Sequence, residues 1–186
     1  MHFSLKTRGF TIVELLIVIV VVAVLAAVSI SAYTGIQTRS INSKVLTAVT
    51  SWEKVLKMYK VIRGTLPLSD YNCLTSASTD FPAGSGLSAG ECMHGFPYAP
   101  TFSAVYSSAL TTDLESILGT TLKIPSGYLA PMSGTIGGTP IYVQGVRYNN
   151  QAIEYYLKGG AADCSKGTVM AGNSSDSLTL CSLNVS

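Results

Sequence analysis

Charge is scarce in this 186-residue sequence, and so are the side chains on which most enzymatic chemistry rests. Only 12% of residues are Asp, Glu, Lys or Arg, which is low for a water-soluble globular protein. There are two histidines, His2 and His94, and one tryptophan, Trp52. His94 has no evident Asp and Ser partners in a nucleophilic motif, which argues against a hydrolase. No phosphate-binding loop, dinucleotide fingerprint or haem motif is present. Neither CxxC nor HxxxH spacing occurs, so a zinc site built from Cys73, Cys92 and His94 is a poor alternative to a disulfide. No enzyme activity, metal or cofactor is expected. Proline is absent between Phe10 and Arg63, so nothing in that stretch forbids one uninterrupted helix.

The mean hydropathy is nonetheless +0.38, which places part of the chain in lipid. That part lies near the beginning. Leu15 to Val28 is apolar without interruption, and the wider span Phe10 to Ala32 carries one charge, Glu14. As a helix this span reaches about 35 Å, against a hydrocarbon core of roughly 30 Å. Lys6 and Arg8 precede it, so the positive-inside rule puts the N-terminus in the cytoplasm and everything after Tyr33 outside. A secretory signal peptide fits poorly, because its apolar region is shorter and contains no acid. A plain single-pass anchor explains the length but not Glu14, since an acid in lipid costs several kcal/mol unless paired or protonated.

Cys73, Cys92, Cys164 and Cys181 all follow the apolar span and fall as two pairs enclosing loops of similar length. This reads as disulfides formed in an oxidising compartment. Four cysteines allow three connectivities; local pairing, Cys73 with Cys92 and Cys164 with Cys181, is preferred.

Lys6-Thr7-Arg8-Gly9 followed by Phe10-Thr11-Ile12-Val13-Glu14-Leu15-Leu16-Ile17-Val18 resembles the class III leader of type IV prepilins. The resemblance combines a short basic leader, a glycine before the cut, a phenylalanine after it, a glutamate at the fifth mature position and a long apolar run. It implies cleavage between Gly9 and Phe10 by a prepilin peptidase on the cytoplasmic side, and methylation of the new Phe10 amine by the same enzyme. It also implies that Glu14 neutralises the Phe10 amine of an adjacent subunit. A buried acid facing a buried amine offsets part of the desolvation that either would suffer alone. Gly9 lets the backbone enter a tight protease cleft. Further partners implied are other pilin subunits and an inner-membrane assembly platform, with the membrane holding the chain before assembly. Removing Lys6 and Arg8 from 12 basic residues leaves 10 against 10 acidic ones. The mature chain is then formally neutral, and nucleic acid is not an expected partner, apart from a local patch around Arg147, Lys158 and Lys166.

The expected fold is α+β, the pilin fold: a long N-terminal helix packed on a small antiparallel sheet, with disulfide-stapled loops. The expected organisation is a leader (1–9), a membrane-spanning and filament-core helix (10–33), its amphipathic continuation (34–64) and an extracellular head (65–186). In the continuation Ile41, Val45, Ala48 or Val49, Trp52, Val55 or Leu56, Tyr59 and Ile62 recur three or four apart, opposite Arg39, Lys44, Lys54 and an i,i+4 pair, Glu53 and Lys57. Gly64 and Pro67 supply the stop. Trp52 is expected as a core anchor. Many pilins carry a proline or glycine within the first helix; residues 24–31, VLAAVSIS, have neither, which leaves Ser29, Ser31 and Gly35 as the places for a bend.

In the head, 65–139 is rich in Ser, Thr, Gly and Pro and predicts a connecting region with one short helix, capped by Thr112 and Glu115. Ile141 to Leu157 predicts a hairpin turning at Asn149-Asn150, and Leu178 to Leu183 a further strand, giving three or four strands in all. The tip 172–177 suits an exposed, variable loop, and Asn173-Ser174-Ser175 and Asn184-Val185-Ser186 fit glycosylation sequons. The function expected from the resemblance is a self-assembling subunit of a type IV pilus for adhesion, motility or DNA uptake. Its alternatives are a pseudopilin of a type II secretion system and a low-copy minor pilin or adhesin at a filament tip.

Overall fold

The computed structural model describes residues 11–119 and 124–185. Lys6, Arg8, Gly9 and Phe10 lie outside the described residues. The chain divides into two compact units between Arg39 and Ser40.

Helix α1, Ile12–Arg63, is assigned as one uninterrupted α-helix. Along it, Ser29 Oγ donates to Leu25 O at 2.8 Å and Thr38 Oγ1 to Thr34 O at 3.2 Å. Its end follows from Gly64, which takes φ +84° and returns its N–H to Lys60 O at 2.8 Å. That left-handed residue satisfies one of the last carbonyls without the Cβ strain another residue would meet.

In the second unit, the described residues form one sheet of nine strands. In chain order they are β1 (Asn72–Cys73), β2 (Glu91–Phe96), β3 (Ala99–Tyr106), β4 (Met132–Ile136), β5 (Thr139–Val143), β6 (Arg147–Asn149), β7 (Ala152–Lys158), β8 (Thr168–Ala171) and β9 (Leu178–Asn184). Their spatial order is β4-β5-β2-β3-β1-β6-β7-β9-β8. The class is α+β as expected, but the sheet is larger than three or four strands and is mixed, because β1 runs parallel to β3. The expected loop at 65–139 holds β1 to β4, a 3₁₀ turn (Ser78–Asp80) and a second helix, α2 (Ser108–Leu118). β1 has two residues, β4 is interrupted by Gly134, and β2 is interrupted by Gly95 and shifts register against β3 at Glu91/Met93 and His94/Phe96, which hides them from a pattern search. β1 is paired across the chain, with β3 and β6, whereas β2 with β3 and β4 with β5 are local hairpins, the second turning at Gly137-Gly138.

Two smaller expectations are also corrected. Helix α2 begins earlier than Thr112: Ser107 is its N-cap and its side chain accepts from Leu110 N, so Thr112 and Glu115 lie inside the helix. The segment Ile141 to Leu157 is not one hairpin. β5 pairs with β4 and β2, and the hairpin is β6 with β7 alone. Between them a Cβ on Gly145 would stand 2.7 Å from the Phe81 ring and 3.0 Å from Cys92 Cβ, so the backbone crosses the core at a point where no side chain fits.

Val45, Val49, Trp52, Leu56 and Tyr59 of α1 are buried, Trp52 completely, in one cluster with Tyr148, Ile153, Tyr155 and Leu157. Burial of this apolar stripe is the main force holding helix to sheet. A polar clamp fixes its height. Asn42 donates to Lys158 O at 3.0 Å and accepts from Lys158 N at 2.8 Å, so its carboxamide pairs with the strand as a backbone amide would. Cys73 bonds to Cys92, and Cys164 to Cys181, across sequence separations of 19 and 17. Each closure stabilises the head by roughly 3 kcal/mol in the chain-entropy model.

Away from α1, Arg147 is 1% exposed. Its Nε donates to Glu154 Oε2 at 2.5 Å, its Nη2 meets the same carboxylate, and its guanidinium lies 4.6, 4.9 and 5.1 Å from the ring centroids of Phe96, Phe102 and Tyr71. Among the core phenols, desolvation by burial pushes the pKa values of Tyr148 and Tyr155 up to about 12.

Candidate assembly site

The first unit is an apolar helix without a core of its own. Its most apolar 18-residue window has a mean hydropathy of 3.1, and none of that window is buried. Ile12, Leu16, Val20 and Leu25 stand 85, 55, 52 and 62% exposed. A helix apolar all round is stable only when something apolar surrounds it, either lipid or other helices.

Glu14 is placed at the start of this helix by a reciprocal cap. Thr11 N and Thr11 Oγ1 each donate to Glu14 Oε2 at 2.8 Å, and Glu14 N donates to Thr11 Oγ1 at 3.2 Å. This is a capping box, with Thr11 as N-cap and Glu14 at the third helical position. It satisfies amide donors that would otherwise be orphaned in an apolar setting. It also points the carboxylate back along the chain, toward the positive end of the helix dipole. Thr11 is thus the N-cap of α1, a role not expected from the sequence. The Thr-x-x-Glu spacing before the apolar run was the signal that could have found it.

The remaining polar groups that drew attention in the sequence do not form a second site. The patch of Arg147, Lys158 and Lys166 does not exist as an exposed cluster, since Arg147 is buried and Lys166 Nζ is 3.3 Å from Glu53 Oε2. Glu53 instead collects Lys57 at 2.7 Å and Lys166, a small network across α1. His94 has partners that the sequence did not reveal: Glu91 Oε1 and Ser103 Oγ, each 3.0 Å from Nδ1. Both sit on the same ring nitrogen, whereas nucleophilic catalysis needs the hydroxyl and the orienting carboxylate on opposite ones. Burial tends to raise the Glu91 carboxyl. Hydrogen bonds from Ser103, the Ser88 amide and His94 outweigh that and hold it below the ordinary range.

Residues 4–30 match the family model for the prokaryotic N-terminal methylation motif. Those residues carry a motif of the kind found in the class III leader of type IV pilins. No solved structure matches the chain.

Proposed function

We propose that the protein is a structural subunit of a type IV pilus or pilus-like filament, inserted in the membrane as a precursor and assembled through α1 after loss of residues 1–9. In this reading Gly9 and Phe10 flank the cut and the Phe10 amine is methylated. Residues 10–33 pass from lipid into the filament core, residues 34–64 continue the helix, and residues 65–186 form the exported head. The carrying observation is the pairing of the methylation motif with the N-terminal part of α1, residues 12–30, whose apolar surface is exposed on every side and whose single acid, Glu14, is fixed at its first turn. In lipid, or in a bundle of such helices, an unpaired carboxylate is costly. A Phe10 amine from a neighbouring copy relieves that cost and sets the stagger between copies. The two head disulfides support an oxidising destination.

The test is mass spectrometry of sheared surface filaments together with two variants. The wild type is expected as an abundant chain beginning at methylated Phe10. Glu14→Gln keeps a capping acceptor but removes the charge, and Thr11→Ala weakens the cap but keeps the charge. Loss of filaments in the first with retention in the second is the expected pattern. A wild-type chain that stays in the membrane with residues 1–9 intact would refute the proposal. A processed chain missing from sheared filaments would move it to the pseudopilin class.

A further inference from the structure

Two Asn-x-Ser triplets stand apart from the assembly function, and the structure separates them. Asn184 ends β9, where it pairs with Ala152 of β7. The following residue, Val185, is 1% exposed and gives its N–H to Gln151 O at 2.8 Å. Modifying Asn184 would require this end of the sheet to peel open. Asn173, Ser174 and Ser175 instead lie on the turn between β8 and β9, and all three are exposed.

The turn is anchored from behind. Ser177 N donates to Thr135 O at 3.1 Å, Thr135 N to Ser177 Oγ at 2.7 Å, and Gly137 N to Asp176 Oδ1 at 2.9 Å. Asp176 Oδ2 accepts from Asn173 N at 2.9 Å. The Cys164–Cys181 bridge ties β9 to the chain before β8. Within the triplet, Asn173 Oδ1 accepts from Ser175 N at 2.9 Å and from Ser175 Oγ at 2.5 Å. No described residue offers an acceptor to Asn173 Nδ2.

This arrangement suits one chemistry. A carboxamide nitrogen is a weak nucleophile because its lone pair is delocalised into the carbonyl. Hydrogen bonds donated to the oxygen favour the imidate form, in which the nitrogen has lost a proton and can attack. We propose that Asn173 is an N-glycosylation site, charged after export from a glycan linked to a lipid pyrophosphate. In the transfer a bond forms between Asn173 Nδ2 and the anomeric carbon of the sugar. The bond from that carbon to the pyrophosphate oxygen breaks, and the lipid pyrophosphate leaves with the electron pair. One Nδ2 proton passes to a base of the transferase, and nothing is oxidised or reduced. The proposal rests on the filament reading only in requiring an exported head.

Trypsin cleavage after Lys166 releases residues 167–186, still bridged through Cys181 to Cys164 when unreduced. Mass spectrometry of the full-length protein from its own cells is expected to find this peptide heavier by a chain of sugar residues localised to Asn173. Asn173→Gln and Ser175→Ala should remove the addition, while Ser175→Thr and Asn184→Gln should keep it. The intact disulfide in each variant reports folding. An unmodified wild-type peptide, an addition that survives Asn173→Gln and so sits on another residue of the peptide, or one lost in Asn184→Gln would each overturn the proposal. The same digest reports the N-terminus. Methylated Phe10 beside an unmodified 167–186 peptide would therefore dispose of the glycan and leave the filament reading standing.

Discussion

Replacing Arg147 with methionine is expected to destabilise the head severely, and replacing Glu154 as well is expected to restore most of the loss. Both side chains are nearly excluded from water, 1% and 3% exposed as residues. Glu154 takes its hydrogen bonds from Arg147 and from Asn149 Nδ2 at 3.1 Å. Removing the arginine leaves a buried carboxylate with one neutral donor, a situation that costs about 3–5 kcal/mol when a buried pair is broken from one side. Methionine keeps apolar contact with Phe96, Phe102 and Tyr71, so little of the cost is lost packing. In the double variant, Arg147→Met with Glu154→Leu, neither charge remains and the stability should lie within about 1–2 kcal/mol of the wild type, on either side. The assay is urea unfolding of a fragment beginning at Ser40, which retains the buried residues from Val45 onward. For a unit of this size, 3–5 kcal/mol corresponds to a Tm lower by about 6–20 °C. A single variant losing less than about 1 kcal/mol, or a double variant losing as much as the single, would refute the idea that desolvation of the pair dominates.

Trp52 lies wholly in the core between helix and sheet, so Trp52→Ala should cost about 3–5 kcal/mol and Trp52→Phe markedly less, read by the same unfolding curve. Replacing Cys164 and Cys181 by serine should cost roughly 3 kcal/mol and free the 172–177 turn to exchange its amides faster. Stability should also fall in acid. The folded carboxyls of Glu91 and Asp80 are held below their ordinary values: burial opposes this in both, but donors outweigh it, Ser103, Ser88 and His94 for the first and Thr75, Ser76 and Ser126 for the second. A depressed folded pKa contributes stability above the unfolded value, near 4, and loses it as pH falls through the folded one. The head should therefore hold level from neutral pH to about 5 and weaken below about 4, with Glu91→Gln flattening that decline in a pH series of unfolding midpoints.

The long helix, its stop at Gly64 and its buried stripe were legible from residue order alone. The 3.6-residue period of Val45, Val49, Trp52, Leu56 and Tyr59 and the absence of proline are local properties, and no distant residue is needed to read them. The apolar run after Glu14 was equally plain, because its length and composition are local properties of the sequence. The cap from Thr11 was written in the sequence but overlooked. What residue order did not convey is the sheet beyond the β6–β7 hairpin and β9. β1 has two residues and lies between β3 and β6, a position decided by pairing across the chain rather than by any preference of Asn72 or Cys73. The fate of Arg147 was decided in the same way. Its charge suggested a surface, but tertiary packing placed Glu154 opposite it and three rings around it. A charged group is buried only where the fold brings its partners together. The two Asn-x-Ser triplets are alike as sequence, and only the fold distinguishes them: β-pairing holds one in the sheet, and a disulfide-anchored turn presents the other to solvent.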